Sequence, residues 1–85
     1  MYYVYVLKSK RDGHLYTGST SDLSNRVKVH NSGKVRSTKG RRPFVLVYSE
    51  TYTTKTEALR RELFLKSSQG RNQLIQKLNG IKDSG

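Results

Sequence analysis

The 85-residue chain contains no cysteine. Disulfide bonds and thiolate metal sites are therefore excluded, and any metal has to be held by oxygen or imidazole ligands. The absence leaves the cellular compartment undecided. Because a chain of this length with 33% hydrophobic residues has no room for a second core, we predict one compact domain over residues 1–80 with a frayed tail at 81–85.

Long apolar segments are also missing. The opening run Met-Tyr-Tyr-Val-Tyr-Val-Leu is short, follows no basic region and turns polar at Lys8, so it resembles neither a signal peptide nor a membrane span. No stretch pairs a basic face with a bulky apolar one, as an interfacial helix would. We therefore expect a cytoplasmic protein without a membrane partner.

Acidic residues are scarce, because 6 Asp and Glu stand against 17 Lys and Arg and leave a formal net charge of +11. An excess of this size predicts a polyanionic partner, and we favour nucleic acid. The cations are densest in a stretch that contains glycine and serine but no acid, which predicts a flexible loop that grips nucleic acid. These cations are Lys34, Arg36, Lys39, Arg41 and Arg42.

Apolar patterning predicts elements in the order β-β-α-β-α-α. Strands over 2–7 and 14–17 flank an Asp-Gly turn and form a hairpin, and a helix follows, capped by residue 21 or 22 and ended by Gly33. The run over 44–48 is almost continuously apolar, which favours a central strand covered on both faces. A capping box at 54–57 then opens a helix to about residue 66, and one short helix follows Gly70.

Two polar side chains lie along one edge of the first predicted helix. Leu23 and Val27 fall on its buried side, while Arg26 and His30 are four residues apart at the boundary between core and solvent. Such an edge is where a cleft begins. Taken singly, each has an ordinary explanation: Arg26 is one solvated cation among 17, and His30 is a polar residue near a helix end.

A carboxylate interrupts the apolar side of the second helix. That side is formed by Ala58, Leu59, Leu63 and Leu65. Glu62 falls within the same arc, so it faces the core and requires a compensating cation or metal. Lys66, one turn further on, is a structural partner that explains Glu62 equally well. The alternative is a divalent ion such as Mg²⁺, which binds one or two carboxylates together with waters and substrate phosphate oxygens.

Six tyrosines lie in predicted strands, where tyrosine is favoured, and packing explains most of them. Tyr5 and Tyr16 differ because the hairpin brings their strands side by side. Gly18 directly follows the second strand and allows close approach of its backbone to a ligand or to the next helix. A phenol, a guanidinium, an imidazole and a carboxylate are together the groups of a phosphodiester-cleaving site.

The ordered set of residues resembles a known family. Tyr3-Val4-Tyr5 and, after the turn, Tyr16-Thr17-Gly18 are similar to the two halves of the GIY-YIG signature. Arg26 follows eight residues beyond the glycine and His30 four later, and the segment 57–62 resembles the metal-binding helix of the family. The resemblance covers nearly the whole chain and is closest to small stand-alone bacterial members of the GIY-YIG endonuclease superfamily.

The resemblance implies an α+β fold, an α/β sandwich in which helices flank a central three-stranded antiparallel sheet. It also implies a divalent metal, Mg²⁺ or Mn²⁺, held by Glu62. Tyr5 would then act as general base, and Arg26 would stabilise the phosphate and its developing charge. Tyr16 would position the attacking water or a phosphate oxygen, and His30 would share proton transfer or phosphate contact.

The signature also has departures. Tyr3 replaces the first glycine and Thr17 the isoleucine, both at backbone or packing positions, and Asn72 is the nearest candidate for a late asparagine of the family. Larger relatives carry a separate targeting domain, and none is recognisable in this sequence. We therefore expect specificity that is weak, based on nucleic-acid structure, or supplied by a targeting protein partner.

Three functions are compatible with these patterns. The first is a metal-dependent DNA endonuclease that hydrolyses phosphodiester bonds, and the second is a noncatalytic nucleic-acid binding module on the same scaffold. The third, a basic structural protein of a ribonucleoprotein, gives no reason for Glu62 to lie in an apolar arc. The first requires five side chains to line one concave surface: Tyr5, Tyr16, Arg26, His30 and Glu62.

Overall fold

A computed structural model of the chain describes residues 1–84 and the side chains of residues 1–79. Its strands are β1 (Tyr2–Ser9), β2 (Leu15–Thr20) and β3 (Phe44–Tyr52). Its helices are α1 (Leu23–Ser32), α2 (Lys55–Lys66) and α3 (Ser68–Ser84), with a 3₁₀ turn at Lys39–Arg41 before β3. The predicted order β-β-α-β-α-α and the α+β class with a three-stranded antiparallel sheet are confirmed.

The centre of the sheet is β1. The strands are ordered β2-β1-β3 with antiparallel pairing on both sides, and residues 4–7 of β1 are all buried. The prediction that β3 is the central, doubly covered strand is wrong, because β3 lies at an edge where Val45 and Leu46 are 38% and 43% exposed. Phe44 of the same run is buried, so the apolar run reflects strand propensity together with partial burial.

The local signals at helix ends are confirmed. Asp22 caps α1 by accepting the backbone N–H of Asn25 at 3.1 Å, and Gly33 ends the helix in the left-handed conformation at φ 83°. The capping box opens α2, since Thr54 Oγ1 accepts from the Glu57 N–H at 3.2 Å and donates to the Glu57 carboxylate at 2.9 Å. Short-range chemistry therefore sets where both helices begin and where α1 ends.

Two apolar layers lie on opposite faces of the sheet. The layer beneath α2 and α3 contains Val4, Val6, Ala58, Leu65 and Leu74. The layer beneath α1 contains Tyr5, Leu7 and Phe44, with Leu23 and Val27 packed against them. Because side chains alternate along a strand, β1 sends Val4 and Val6 to one layer and Tyr5 and Leu7 to the other. The candidate residues of β1 and α1 therefore share one layer, while α2 lies across the sheet from them.

The buried side of α2 is narrower than predicted. Ala58 and Leu65 are buried, but Leu59 and Leu63 are 43% and 69% exposed, so the prediction that these two leucines belong to the packing side is wrong. Glu62 lies between Ala58 and Leu65 on the helix surface, and only 16% of its side chain is exposed. Its carboxylate does turn towards the protein.

The last helix is longer than the short helix that was predicted. Gly70 lies inside its first turn and does not separate two helices. A side chain at Gly70 would collide with the carbonyl of Phe64, so glycine permits α2 and α3 to pack closely. The backbone is helical to Ser84. The prediction of a frayed tail at 81–85 concerns side chains beyond Asn79 and residue Gly85, which lie outside the described part of the chain, and it stays a prediction. Across residues 1–84, no helix has both the length and the apolar character to cross a bilayer.

A half-buried carboxylate joins β3 to α2. Arg61 donates to Glu50 through Nε at 2.9 Å and Nη2 at 3.1 Å, and the hydroxyls of Tyr48 and Tyr52 donate to the same group. Burial acts to raise the pKa of Glu50, but the hydrogen bonds from Arg61 and the two tyrosines outweigh it and lower the pKa from 4.5 to about 2.

We expect this group to make the protein less stable in acid. The folded state keeps Glu50 ionised at a pH where the unfolded chain has bound a proton, so the stabilisation is complete above pH 4.5 and is lost as the pH falls towards about 2. The shift corresponds to roughly 3 kcal/mol. Urea denaturation across this pH range should show a smaller pH dependence for Glu50→Gln than for the wild type. Identical pH dependence in both proteins would contradict the assignment.

Candidate active site

Tyr5 extends from the middle of β1 into the layer beneath α1 and lies across Gly18 of β2. The two residues are paired in the sheet, and a Cβ at position 18 would lie 2.5 Å from the Tyr5 hydroxyl oxygen. Glycine therefore leaves the space in which the phenol ring crosses β2. The sequence predicted that a ligand or the next helix would approach Gly18, and the structure places the Tyr5 ring there.

We expect Gly18→Ala to destabilise the protein by about 1–3 kcal/mol, because the added methyl group has to displace a ring that is 1% exposed. Gly40→Ala is the matched control, since a Cβ at that position meets no atom within 4 Å. Urea denaturation of the two variants measures the difference. Equal stability would mean that the Tyr5 ring moves aside at no cost.

His30 faces Tyr5 from α1. Its side chain is 0% exposed, so the predicted position at the boundary of core and solvent is wrong, and His30 instead extends the buried side of α1 beyond Leu23 and Val27. His30 Nε2 lies 3.0 Å from the Tyr5 hydroxyl oxygen, and His30 Nδ1 lies 2.9 Å from Oγ1 of Thr38. Both ring nitrogens are engaged in buried hydrogen bonds.

Arg26 lies one turn before His30 on α1. Its Nε donates to the Tyr5 hydroxyl oxygen at 3.4 Å, and hydrogen bonding with Tyr5 raises the pKa of Arg26. Among the side chains of residues 1–79, no carboxylate forms an ion pair with Arg26. The guanidinium therefore keeps its charge available for an anionic ligand such as a phosphate.

The surroundings fix the protonation of Tyr5 and His30 at neutral pH. Burial raises the pKa of Tyr5, and the hydrogen bond from Arg26 offsets this only in part. Burial and the positive charge of Arg26 lower the pKa of His30 from its ordinary value of 6.5. At neutral pH the phenol is therefore protonated and the imidazole neutral, so one ring nitrogen of His30 carries a proton and the other can accept one.

Tyr16 of β2 packs beside both groups. Its ring centroid lies 6.4 Å from that of Tyr5 and 4.9 Å from that of His30. Tyr16 is half-buried, so it lies between the surface and the interior cluster formed by Tyr5 and His30. Four of the residues predicted from the sequence thus meet in the layer beneath α1: Tyr5, Tyr16, Arg26 and His30.

Glu62 approaches this region from the opposite face of the sheet. Ser19, the residue after Gly18 on the edge strand β2, donates to Glu62 Oε1 at 2.6 Å. Lys66 donates to Glu62 Oε2 at 2.7 Å, so the structural partner inferred from spacing is present. Burial is the main cause of the raised pKa of Tyr5, and the negative charge of Glu62 adds to it. Glu62 thus lies within electrostatic range of the phenol, although no hydrogen bond among the described side chains joins the two.

The sequence of this chain matches the model of a known protein family. Residues 1–79 match the model of the GIY-YIG catalytic domain. The chain belongs to the GIY-YIG family. Membership gives nuclease-type chemistry as the general function.

Close relatives of this GIY-YIG protein occur in bacteria. A UPF0213 protein of Staphylococcus epidermidis is 54% identical over 67 residues, which cover 78% of this chain and 80% of that protein. A UPF0213 protein of Staphylococcus haemolyticus is 49% identical over 67 residues. The solution NMR structure of the UPF0213 protein BH0048 from Bacillus halodurans has 44% identity and a TM-score of 0.55, covering 89% of this chain and 84% of that one. The names of these relatives state no activity.

For the divalent ion expected in a GIY-YIG nuclease, Glu62 is the ligand that this site offers. Residues 1–79 contain no group of three or more His, Cys, Asp or Glu side chains that could hold a metal. Mg²⁺ fits a single carboxylate because it keeps several waters and accepts substrate phosphate oxygens. Lys66 Nζ occupies one side of the carboxylate at 2.7 Å, and the Lys66 side chain is 48% exposed. The donor set therefore suits a hydrated Mg²⁺ or Mn²⁺.

The basic loop of residues 34–42 is anchored rather than free. Thr38 is bonded to His30, Ser9 Oγ donates to the Arg41 carbonyl at 2.6 Å, and Arg42 Nε donates to the Lys39 carbonyl at 3.1 Å. These side-chain hydrogen bonds anchor the loop at three points, which its composition did not predict. All five cations are exposed: Lys34, Arg36, Lys39, Arg41 and Arg42.

Two polar residues of the site were missed by sequence reasoning. Thr38 stands between cations as a small polar residue, and Ser19 follows the signature glycine, so neither had a pattern that set it apart. Asn72, the candidate for the late asparagine, is exposed on α3. Within residues 1–79, no hydrogen bond links its side chain to Tyr16 or Glu62.

Proposed function

We propose that this GIY-YIG protein is a divalent-metal-dependent endonuclease that hydrolyses phosphodiester bonds in DNA. The observation that carries the proposal is the hydrogen-bonded set in which Arg26 donates to Tyr5 and the Tyr5 hydroxyl oxygen lies 3.0 Å from Nε2 of the buried His30. A charged donor, a phenol and a proton acceptor in contact are the groups required to bind a phosphate and activate water beside it.

Each side chain has a role in this scheme. Tyr5 is the general base towards the attacking water after its own proton passes to His30, and Arg26 stabilises the charge that develops on the phosphate. Tyr16, half-buried beside both, positions the water or a phosphate oxygen. Glu62 would hold the metal, which when bound neutralises phosphate charge and favours ionisation of a coordinated water.

Binding of the substrate follows from charge. A net charge of +11 and five exposed cations on the basic loop favour the phosphate backbone over any particular base, so we propose weak or structure-based specificity, with targeting by a protein partner where a defined site is required. DNA as the substrate and a cytoplasmic location belong to the same proposal.

Glu62→Gln tests the proposal when compared with Glu57→Gln. Both variants lose one carboxylate on α2, but Glu57 is exposed and belongs to the helix cap, a position that glutamine also serves. The assay uses plasmid or branched DNA with Mg²⁺ or Mn²⁺. We expect Glu57→Gln to cut DNA at the wild-type rate and Glu62→Gln to cut it at least roughly 10²-fold more slowly. Equal cutting by Glu62→Gln and the wild type would refute the catalytic role of the carboxylate.

One observation favours a second function, a noncatalytic nucleic-acid binding module. Lys66 already compensates the charge of Glu62 at 2.7 Å, which satisfies the carboxylate without a metal. This alternative predicts salt-dependent binding without cleavage. Neutralising Lys39, Arg41 and Arg42 together would then lower the slope of log affinity against log salt by about 2 to 3, while Tyr5→Phe would leave binding unchanged.

A further inference from the structure

Thr38 differs from every other residue of the basic loop. Across residues 34–42 it alone is buried, at 1% exposure, while the adjacent Lys39 is exposed. Its hydroxyl oxygen lies 2.9 Å from Nδ1 of the fully buried His30. One side chain therefore links the segment that carries the surface cations to the interior cluster.

The directions of the hydrogen bonds around His30 follow from the partners. Thr38 Oγ1 donates to the carbonyl of Val35 at 3.4 Å, so its lone pairs remain to accept the Nδ1–H of His30. At the other end Arg26 carries only donors, so the Tyr5 oxygen accepts from it and directs its own proton to His30 Nε2. Among the described side chains, every buried nitrogen and oxygen has a partner.

We propose that Thr38 is a positioning residue that holds His30 in the tautomer protonated on Nδ1, which leaves Nε2 free to take the proton of Tyr5 during cleavage. This inference rests on the proposed function. The protonated nitrogen of a histidine is decided by the hydrogen bond that the other nitrogen makes, and Thr38 supplies that bond. The other aromatic neighbours of His30 are Tyr16 and Phe44, and among the described side chains neither forms a hydrogen bond with a ring nitrogen of His30.

The proton transfers balance. The Tyr5 O–H bond breaks and an N–H bond forms at His30 Nε2, and the tyrosinate then takes a proton from the water whose oxygen bonds to phosphorus. The bond from phosphorus to the leaving oxygen breaks, and that oxygen takes a proton from solvent while His30 returns one to solvent. One water is consumed and no group is oxidised or reduced.

Cleavage kinetics of Thr38→Val and Thr38→Ser test the positioning role. Valine keeps the shape of threonine and removes the acceptor, whereas serine keeps the acceptor. We expect Thr38→Val to lower kcat by about 10- to 100-fold with little change in KM, and Thr38→Ser to recover most of the rate. A rise in KM without a fall in kcat would assign Thr38 to loop structure alone, and equal loss in both variants would overturn the proposal.

The tautomer itself is measured separately by ¹⁵N NMR of His30 in the free protein. We expect the wild type to carry the proton on Nδ1 and Thr38→Val to show a mixture of both tautomers. A wild-type spectrum with the proton on Nε2 would overturn the proposal even if the protein cuts DNA. Conversely, an Nδ1–H tautomer in a protein that cuts no DNA would refute the proposed function while leaving the role of Thr38 in orienting His30 intact.

Discussion

Tyr5→Phe is expected to lower the rate of DNA cleavage by about 10²- to 10⁴-fold, the range associated with loss of a general acid–base group. The variant keeps the ring that crosses Gly18 and loses only the hydroxyl that joins Arg26 to His30. Single-turnover cleavage at saturating enzyme measures the chemical step without contributions from binding or product release.

Tyr3→Phe is the matched control for this loss. Tyr3 lies two residues away on β1 and points to the same face, but it is only half-buried, and no hydrogen bond of its hydroxyl is found within residues 1–79. Its variant should cut at the wild-type rate. Because Tyr5→Phe leaves His30 Nε2 without a donor, it should also be less stable by about 1–3 kcal/mol, so both variants must be assayed well below their unfolding temperature. Equal rates for the two would exclude Tyr5 from the reaction.

The pH profile of cleavage gives the Tyr5 prediction a second readout. His30 must be neutral to accept the proton, and burial with the charge of Arg26 lowers the pKa of His30 below 6.5. The cleavage rate should therefore stay constant as the pH falls through 6.5. It should decrease only at the lower pH at which His30 becomes protonated. The charged or titratable groups near it are Tyr5, Tyr16 and Arg26. The pKa values of Tyr5 and Arg26 are both raised from ordinary values that already lie well above this interval. A loss of rate centred above pH 6.5 would contradict the assignment of His30 as acceptor.

Local signals in the sequence were sufficient for the ends of α1 and α2, but not for the ends of α3 or for strand order. Asp22, Gly33 and the 54–57 capping box act through hydrogen bonds between residues close in sequence, so their spacing alone is informative. The order of strands depends on which strand pairs with two others, and the apolar runs of β1 and β3 are too similar to decide it. A domain this small has too few elements to cover both faces of every strand, and β3 remained exposed.

The candidate site shows the same division between local and distant information. Residues of the family signature and α1 could be predicted because their spacing is fixed by the hairpin and by one helical turn. Thr38 could not, because its contact with His30 depends on how the basic loop folds back over α1. The exposure of Leu59 and Leu63 could not be predicted either, because a helical wheel gives the angles between side chains but not which side of the helix faces the sheet.

Arg26→Lys is expected to lower kcat by about 10²- to 10³-fold, the loss measured when one preorganised donor to a developing charge is removed. Lysine keeps the positive charge but lacks the planar fork with which Arg26 can donate from Nε to Tyr5 and from its terminal nitrogens to a phosphate. Affinity for DNA should change little, because the net charge is unchanged.

Lys28→Gln separates charge from geometry on the same helix. Lys28 is exposed on α1, two residues from Arg26, and its replacement removes a charge without touching Tyr5 or His30. We expect Lys28→Gln to weaken DNA binding slightly and to leave kcat unchanged, the reverse of Arg26→Lys. Filter binding at several salt concentrations and single-turnover cleavage distinguish the two effects. If Arg26→Lys instead lowered the affinity for DNA and kept the wild-type kcat, Arg26 would serve to bind the DNA backbone electrostatically. Another group of the site would then have to stabilise the reacting phosphate.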